Sequence, residues 1–470
     1  MALPQIPEII CQIATELDDI LDVSSLSRCD RFTNGAVTPV LFRHIAIPAR
    51  CLPQLAQRFM ATPEVASMCR SLEIVYLQLG SDRRLKQPNL LDDSYNHPCD
   101  VISQAMSTIL LEIAKHGRLE RFDCLDARVL SFVLNPRCWT ALSSLGCNLK
   151  ELSIAVFESE LQDFEIFVES STLPRLQTLR LNLSSSDTTC IVKFVSQLLA
   201  LQHLHLECLS PHYLAFVTYH PLLRTLFLDT NSRAPALPPD FLARHPTIER
   251  LYLDSCPVFC CDDTSLPNLK ALAIGQQSVE GLAFLFGSFA TARREIKHLR
   301  LNQMPSLNLP VTQNILRVTG SSLTCLEIDC CTIEEYRRLE SQHIQQLPNL
   351  APGLLELALF ARSPQLPLVL TWTAKDLTHA LAVLDQPWRL QVLRFYDLGK
   401  SGSVLPDSLL HNLGAVPPAL RYIYWDVHPD PKMYSLERIG GINSAVAMSD
   451  PLPQKANVDW TCDSILDHLS

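Results

Sequence analysis

One apolar signature repeats along most of the chain. It reads Leu-x-x-Leu-x-Leu, with Ile, Phe, Cys or Trp substituting, and copies begin at Cys69, Leu119, Leu149, Leu176, Leu201, Leu223, Ile248, Leu269, Ile296, Leu323, Leu354, Leu390 and Leu420. From Leu149 onward successive starts lie 21 to 36 residues apart, near the roughly 20 to 29 of leucine-rich units. The last two apolar residues of each copy alternate with polar ones, which predicts a short strand with one buried face. Between copies the spacing predicts helices over 163–169, 190–199, 279–289, 334–346 and 374–384, the last capped at Thr373. A strand and helix of this size cannot bury their apolar sides alone. Stacked on neighbours they do, so the pattern predicts an irregular α/β solenoid with a parallel, strand-lined concave face. Asn231, Cys256 and Cys331 occupy the ladder position eight residues after the first Leu, and most other copies lack it.

Residues 3 to 47 depart from this repeat. Ile6, Ile9, Ile10, Ile13, Ala14 and Leu17 recur at helical spacing with Pro7 in the first turn. A second helix is expected from Ser24 or Ser25 to Asn34, and a third short element over 37–45. About 45 residues is marginal for a self-sufficient core, so the module is expected to complete it against a partner. The divisions predicted are a helical module over 1–47, a helical linker over 48–68, the solenoid over 69–430 and a loosely held tail over 431–470. That tail contains Gly440, Gly441, Pro451 and Pro453, with a helix expected over 458–469.

Composition agrees with an array. Of 470 residues, 81 are Leu and only 14 are Gly, which argues against phosphate-cradling loops, and 47% are hydrophobic, which excludes a disordered chain. A net charge of −10 argues against nucleic acid and anionic membranes as partners. No apolar run approaches the roughly 18 residues needed to span a bilayer, and the acidic N-terminus is unlike a presequence. The 17 Cys, irregularly spaced, are expected to be reduced thiols in the cytoplasm or nucleus.

The N-terminal residues carry a resemblance. Ile6-Pro7-Glu8-Ile9-Ile10, then Leu17, Leu26-Ser27-Arg28-Cys29-Asp30-Arg31-Phe32, then Leu41-Phe42-Arg43-His44-Ile45 resemble an F-box, with Ile6 in place of the first Leu and Phe32 and Phe42 where Trp is commonest. A three-helix F-box followed by leucine-rich repeats is similar to the substrate receptors of SCF ubiquitin ligases. The resemblance implies that residues 3–47 dock a Skp adaptor, and through it a cullin, while the repeats hold a protein substrate. Adaptor contact would then rest on Pro7, Ile9, Ile10, Ile13, Leu17, Leu26, Cys29 and Phe32. The competing expectation is a repeat scaffold whose helical start only seals the solenoid end.

Alternation places a second set of side chains on the strand face opposite the leucines. Candidate substrate contacts there are Arg180, His205, Phe227, Asp229, Arg250, Tyr252, Asp254, Arg300, Asp329, Arg394 and Tyr424. Aromatic and Arg residues are the usual interface anchors, and the acids suit a basic or mixed-charge partner. The small Ala271, Ala273 and Gly275 are expected to leave a pocket between Tyr252 and Arg300. Catalytic, cofactor and metal chemistry is not expected. Cys256, Cys260, Cys261, Asp262 and Asp263 match no finger spacing, His203 and His205 read as a solvated pair without a third ligand, and Gly399-Lys400-Ser401 lacks the first glycine of a phosphate loop.

Overall fold

The computed structural model describes residues 7–16, 20–29, 31–75, 99–125, 134–183, 189–207, 219–229, 239–254, 265–274, 294–302, 310–330, 341–361, 372–384, 388–397, 404–427, 432–439 and 441–448. The chain divides into two compact units, Met1–Leu209 with Phe216–Leu223, and Ser210–Ala215 with Arg224–Ser470.

The first unit begins with three helices, α1 (Pro7–Glu16), α2 (Ile20–Ser27) and α3 (Arg31–Leu41). Strand β1 (His44–Pro48), helices α4 (Leu52–Ala61) and α5 (Pro63–Met68), and β2 (Ser71–Val75) follow. Then come α6 (Cys99–His116), β3 (Arg121–Cys124), α7 (Pro136–Leu145), β4 (Glu151–Val156), α8 (Leu161–Ser170), β5 (Thr178–Leu183), α9 (Thr189–Gln197) and β6 (His203–Glu207). The six strands pair in chain order, all parallel.

The second unit continues the same alternation with β7 (Thr225–Asp229), α10 (Pro239–Arg244), β8 (Arg250–Asp254), β9 (Ala271–Ile274), β10 (His298–Asn302), α11 (Pro310–Thr319) and β11 (Cys325–Cys330). It ends with α12 (Ser341–Leu350), β12 (Glu356–Ala361), α13 (Ala374–Val383), β13 (Val392–Asp397), α14 (Asp407–Leu410), β14 (Tyr422–Asp426), β15 (Lys432–Ile439) and β16 (Ile442–Ala447). Strands β7 to β14 are parallel, and β15 and β16 add antiparallel to β14.

Each repeat signature has its strand, and the three apolar residues of every copy are buried. At about 1.5 to 3 kcal/mol for each large aliphatic side chain removed from water, this periodic burial is the main force holding each unit. A second repeating device fixes the register. The carbonyl just before a strand accepts two successive N–H groups from the next repeat: Lys150 from Gln177 and Thr178, Lys270 from Lys297 and His298, Leu355 from Gln391 and Val392. In the first unit Trp139 of α7, Phe164 and Phe167 of α8 and Phe194 of α9 form one aromatic cluster, with ring centroids 5.3 to 6.1 Å apart. It ties three successive helices together.

Several boundaries differ from the sequence expectation. Helix α2 ends at Ser27 and α3 covers Arg31–Leu41, so the second and third helices lie elsewhere than read. His44–Pro48 is a strand, because Ile45 and Ile47 fall in register with Leu72 and Ile74 and share their apolar row. Residues 432–447, placed in a loose tail, form a hairpin whose turn uses Gly441 at φ +83°, a conformation open to glycine. Helix α13 starts as expected, with the Asp376 carboxylate accepting from the Thr373 N–H at 2.9 Å and hydroxyl at 2.7 Å. The helix expected over 279–289, the ladder positions Asn231, Cys256 and Cys331, and the segment 449–470 lie outside the described residues. No helix among the described residues is long and apolar enough to cross a membrane.

Candidate functional site

Two regions carry the residues singled out by sequence. The first is the N-terminal helical module. Ala14 of α1 and Val37 of α3 form its buried centre, with Ile10, Leu26, Val40 and Leu41 packed around them. The geometry therefore divides the adaptor candidates. Ile10 and Leu26 turn inward, whereas Ile13 is 50% exposed, Phe32 39% exposed and Cys29 exposed. Pro7 and Ile9 belong to α1, and Leu17 lies outside the described residues. Exposed Ile and Phe on this small module are apolar surface that burial against another surface would stabilise. The module is joined to the array, since α3 packs against β1 and α5.

The second region is the strand face opposite the leucines, and its character differs between the units. In the first unit, registered rows place Glu73, Asp123, Ser153, Arg180 and His205 side by side on β2 to β6. The row beside it carries Arg121, whose guanidinium lies 3.5 to 3.6 Å from Glu73, Asp123 and Glu151. The side chains of Glu73, Arg121 and Glu151 are 40%, 43% and 46% exposed, so the face is accessible at these three, while Ser153 and His205 in the adjoining row are buried. Burial raises the Asp123 carboxyl despite the opposing pull of Arg180 and Arg121. His205 is buried and lies 3.0 Å from Glu207, whose carboxylate also accepts from Asn182. His203 is exposed and His205 is not, which corrects the expectation of a solvated pair.

In the second unit the central row of the equivalent face is buried from Tyr252 onward. One row runs Phe227, Tyr252, Ala273, Arg300, Glu327, Ala358, Arg394, Tyr424 and Met433. Phe227 stacks on Tyr252 with centroids 3.9 Å apart and planes 3° from parallel. Tyr252 packs with Ala271 and Ala273, so the room that the small strand leaves is taken by aromatic rings rather than held as a pocket. Gly275 lies outside the described residues. Further along, Phe360 stacks on Tyr396 at 4.4 Å and, with Tyr424, Val392 and Met433, forms a second apolar cluster on this face.

Between these two clusters sits a group of charges with almost no contact with water. Arg300, Glu327, Glu356 and Arg394 are 3%, 0%, 0% and 1% exposed. Arg394 reaches Glu327 at 3.0 Å and Glu356 at 2.6 Å, and donates to the Tyr396 hydroxyl at 2.9 Å. His298 Nε2 lies 2.8 Å from Glu327, and the Arg300 Nε lies 3.7 Å from it. Burial alone would push the Glu327 carboxyl up. His298, Arg394 and Arg300 outweigh it and hold the group at about 2. Burial also opposes charge on Arg394, yet Glu356 and Glu327 keep its pKa well above the ordinary value, while burial and Glu356 drive the Cys325 thiol up. The guanidiniums also lie over rings, Arg300 at 4.5 Å from the Phe360 centroid and Arg394 at 5.3 Å from that of Tyr396.

Of the residues named as substrate contacts, Arg300, Arg394, Tyr252, Tyr424 and His205 are buried, and Arg180, Phe227, Asp229 and Arg250 are half-buried. The side chains of Asp254 and Asp329 lie outside the described residues, as do Cys256 to Asp263 and Gly399-Lys400-Ser401. Sequence reasoning assigned no role to Glu327 and Glu356, which organise the buried group.

No protein-family model matches the chain, and no curated protein matches it. Among solved structures the chain is similar to the complex of Rad7 and Elc1 in yeast, with a TM-score of 0.35 and 12% identity, over 88% of this chain and 92% of that one. A likeness of that size does not define a shared fold.

Proposed function

We propose that the protein is a noncatalytic substrate receptor of an SCF-type, cullin-based ubiquitin ligase, with the N-terminal helices docking a Skp adaptor and the strand face of the first unit holding a protein substrate. The observation that carries this reading is the helical module itself. Its core closes on Ala14 and Val37, and it leaves Ile13 and Phe32 in solvent at positions where the F-box resemblance puts adaptor contacts. Catalysis in such an assembly is proximity, since holding a substrate lysine near a thioester on another protein makes the transfer effectively intramolecular.

The substrate surface is assigned to the first unit because its charged rows are accessible there, at Glu73, Arg121 and Glu151, while Arg300 and Arg394 in the second unit spend their charges on buried carboxylates. Accessible charges of mixed sign with an acidic excess fit a basic or mixed-charge protein segment. Co-expression of the chain with a Skp adaptor, with and without residues 1–47, tests the reading. A stoichiometric complex lost on deletion is expected, and a full-length chain that elutes alone would overturn it.

A second reading, a repeat scaffold outside any ligase, is favoured by one observation. Helix α3 runs directly into β1, which pairs with β2, so the helices also cover the start of the sheet. That scaffold would ignore the adaptor.

A further inference from the structure

The buried charge group contains a set of metal donors that the receptor role does not use. His298 on β10 and Cys325 on β11 are register partners on adjacent parallel strands, and Glu327 follows Cys325 by two residues on the same face. Strands lie about 4.8 Å apart and residues two apart on one strand about 6.6 Å, so three side chains at these positions converge. Here a donor atom from each, an imidazole nitrogen, the thiol sulfur and a carboxylate oxygen, falls within 4.8 Å of the other two.

We propose that His298, Cys325 and Glu327 form a binding site for a thiolate-seeking transition metal ion of the zinc class. Imidazole, thiolate and carboxylate together are zinc donors, and three protein ligands leave a fourth position open. A second observation concerns the carboxylate itself: its Oε1 faces His298 Nε2 at 2.8 Å, while its fully buried Oε2 accepts no hydrogen bond among the described residues, the Arg300 Nε standing at 3.7 Å. A buried carboxylate oxygen without a hydrogen bond is costly, and an ion held by Glu327 through both oxygens would satisfy it.

The neighbouring arginines select the ion. With His298 neutral, as a metal ligand must be, two guanidiniums and the carboxylates of Glu327 and Glu356 balance in charge, so a dication held only by oxygen would add its full charge beside Arg300 and Arg394. A metal that takes the Cys325 sulfur as thiolate releases the thiol proton to solvent, and the net gain is one positive charge rather than two. Arg394 Nη2, at 3.7 Å from Sγ, faces that thiolate as an outer-shell donor. Magnesium and calcium are excluded on this ground and zinc and cobalt favoured.

The test is a titration of the full-length chain, stripped of metal and kept reduced, with cobalt(II) as the probe. Visible d–d bands and a thiolate-to-cobalt charge-transfer band that saturate at one equivalent and are displaced by zinc are expected. Cys325→Ser should abolish the charge-transfer band. His298→Ala should weaken binding by more than the roughly 10- to 100-fold typical of an outer-shell partner. The His298 side chain is 13% exposed at the edge of the group, so that variant gives an answer even where Cys325→Ser fails to fold. Absence of bands in the folded wild-type chain, or bands unchanged in His298→Ala, would overturn the proposal.

Discussion

Arg394 and Glu327 are bonded at 3.0 Å although they stand on β13 and β11, with a whole strand between them. The residue in register between them is Ala358 on β12, whose methyl group leaves a channel for the guanidinium. One arginine thus cross-links three strands, because it also holds Glu356 on β12 at 2.6 Å. Removing one partner of a buried ion pair leaves the other charged and dry. Arg394→Ala should therefore destabilise the chain by about 3 to 5 kcal/mol, measured by urea unfolding. A loss within about 1 kcal/mol, typical of exposed pairs, would show that the group is solvated.

The apolar rows were legible in the sequence because a leucine pattern repeated thirteen times is insensitive to any single exception. The buried charges were not. Glu327 and Glu356 alternate with leucines as a solvated strand face does, and their burial depends on an arginine 67 residues after Glu327 and on an alanine between. Strand β1 was hidden because its two isoleucines follow directly on a helical module. The β15–β16 hairpin was hidden because Gly441 reads as linker until its partner strands are known.

Gly320 ends α11 against the end of α12. A methyl group built there would lie 1.8 Å from the Leu350 carbonyl oxygen and 2.4 Å from that of Leu316, both backbone atoms that cannot swing aside. Gly320→Ala should force α11 and α12 apart and cost at least about 1 to 3 kcal/mol. Gly414→Ala provides the contrast, since nothing lies within 4 Å of its added methyl and only its φ of +72° resists. Thermal unfolding of the two variants separates crowding from backbone strain, and equal midpoints would contradict this packing.

Glu160 introduces a pH dependence in the first unit. Its carboxylate, 1% exposed, accepts from the Phe157 N–H at 2.8 Å and from the Leu134 N–H, tying the turn after β4 to the residues before α7. Burial outweighs these two bonds and pushes its pKa from 4.5 to about 7. The native state thus keeps this proton to higher pH than the unfolded chain does. Its contribution is fully present below about pH 4.5 and is lost as pH rises to about 7. The loss over that window is as much as about 3 kcal/mol. Glu160→Gln should flatten this part of the stability profile, read by urea unfolding across the window, and an unchanged slope would remove Glu160 as its source.

The receptor reading is tested most directly at the exposed pair on the helical module. Ile13→Asp with Phe32→Asp changes two residues in solvent and leaves Ala14 and Val37 untouched, so the module should stay folded by circular dichroism. The measurement is co-elution of this full-length variant and of the wild-type chain with a Skp adaptor on size exclusion. Wild type should form a stoichiometric complex and the double variant should elute alone, because two charges placed in an apolar contact cost several kcal/mol. A folded double variant that still co-elutes with the adaptor would contradict the account.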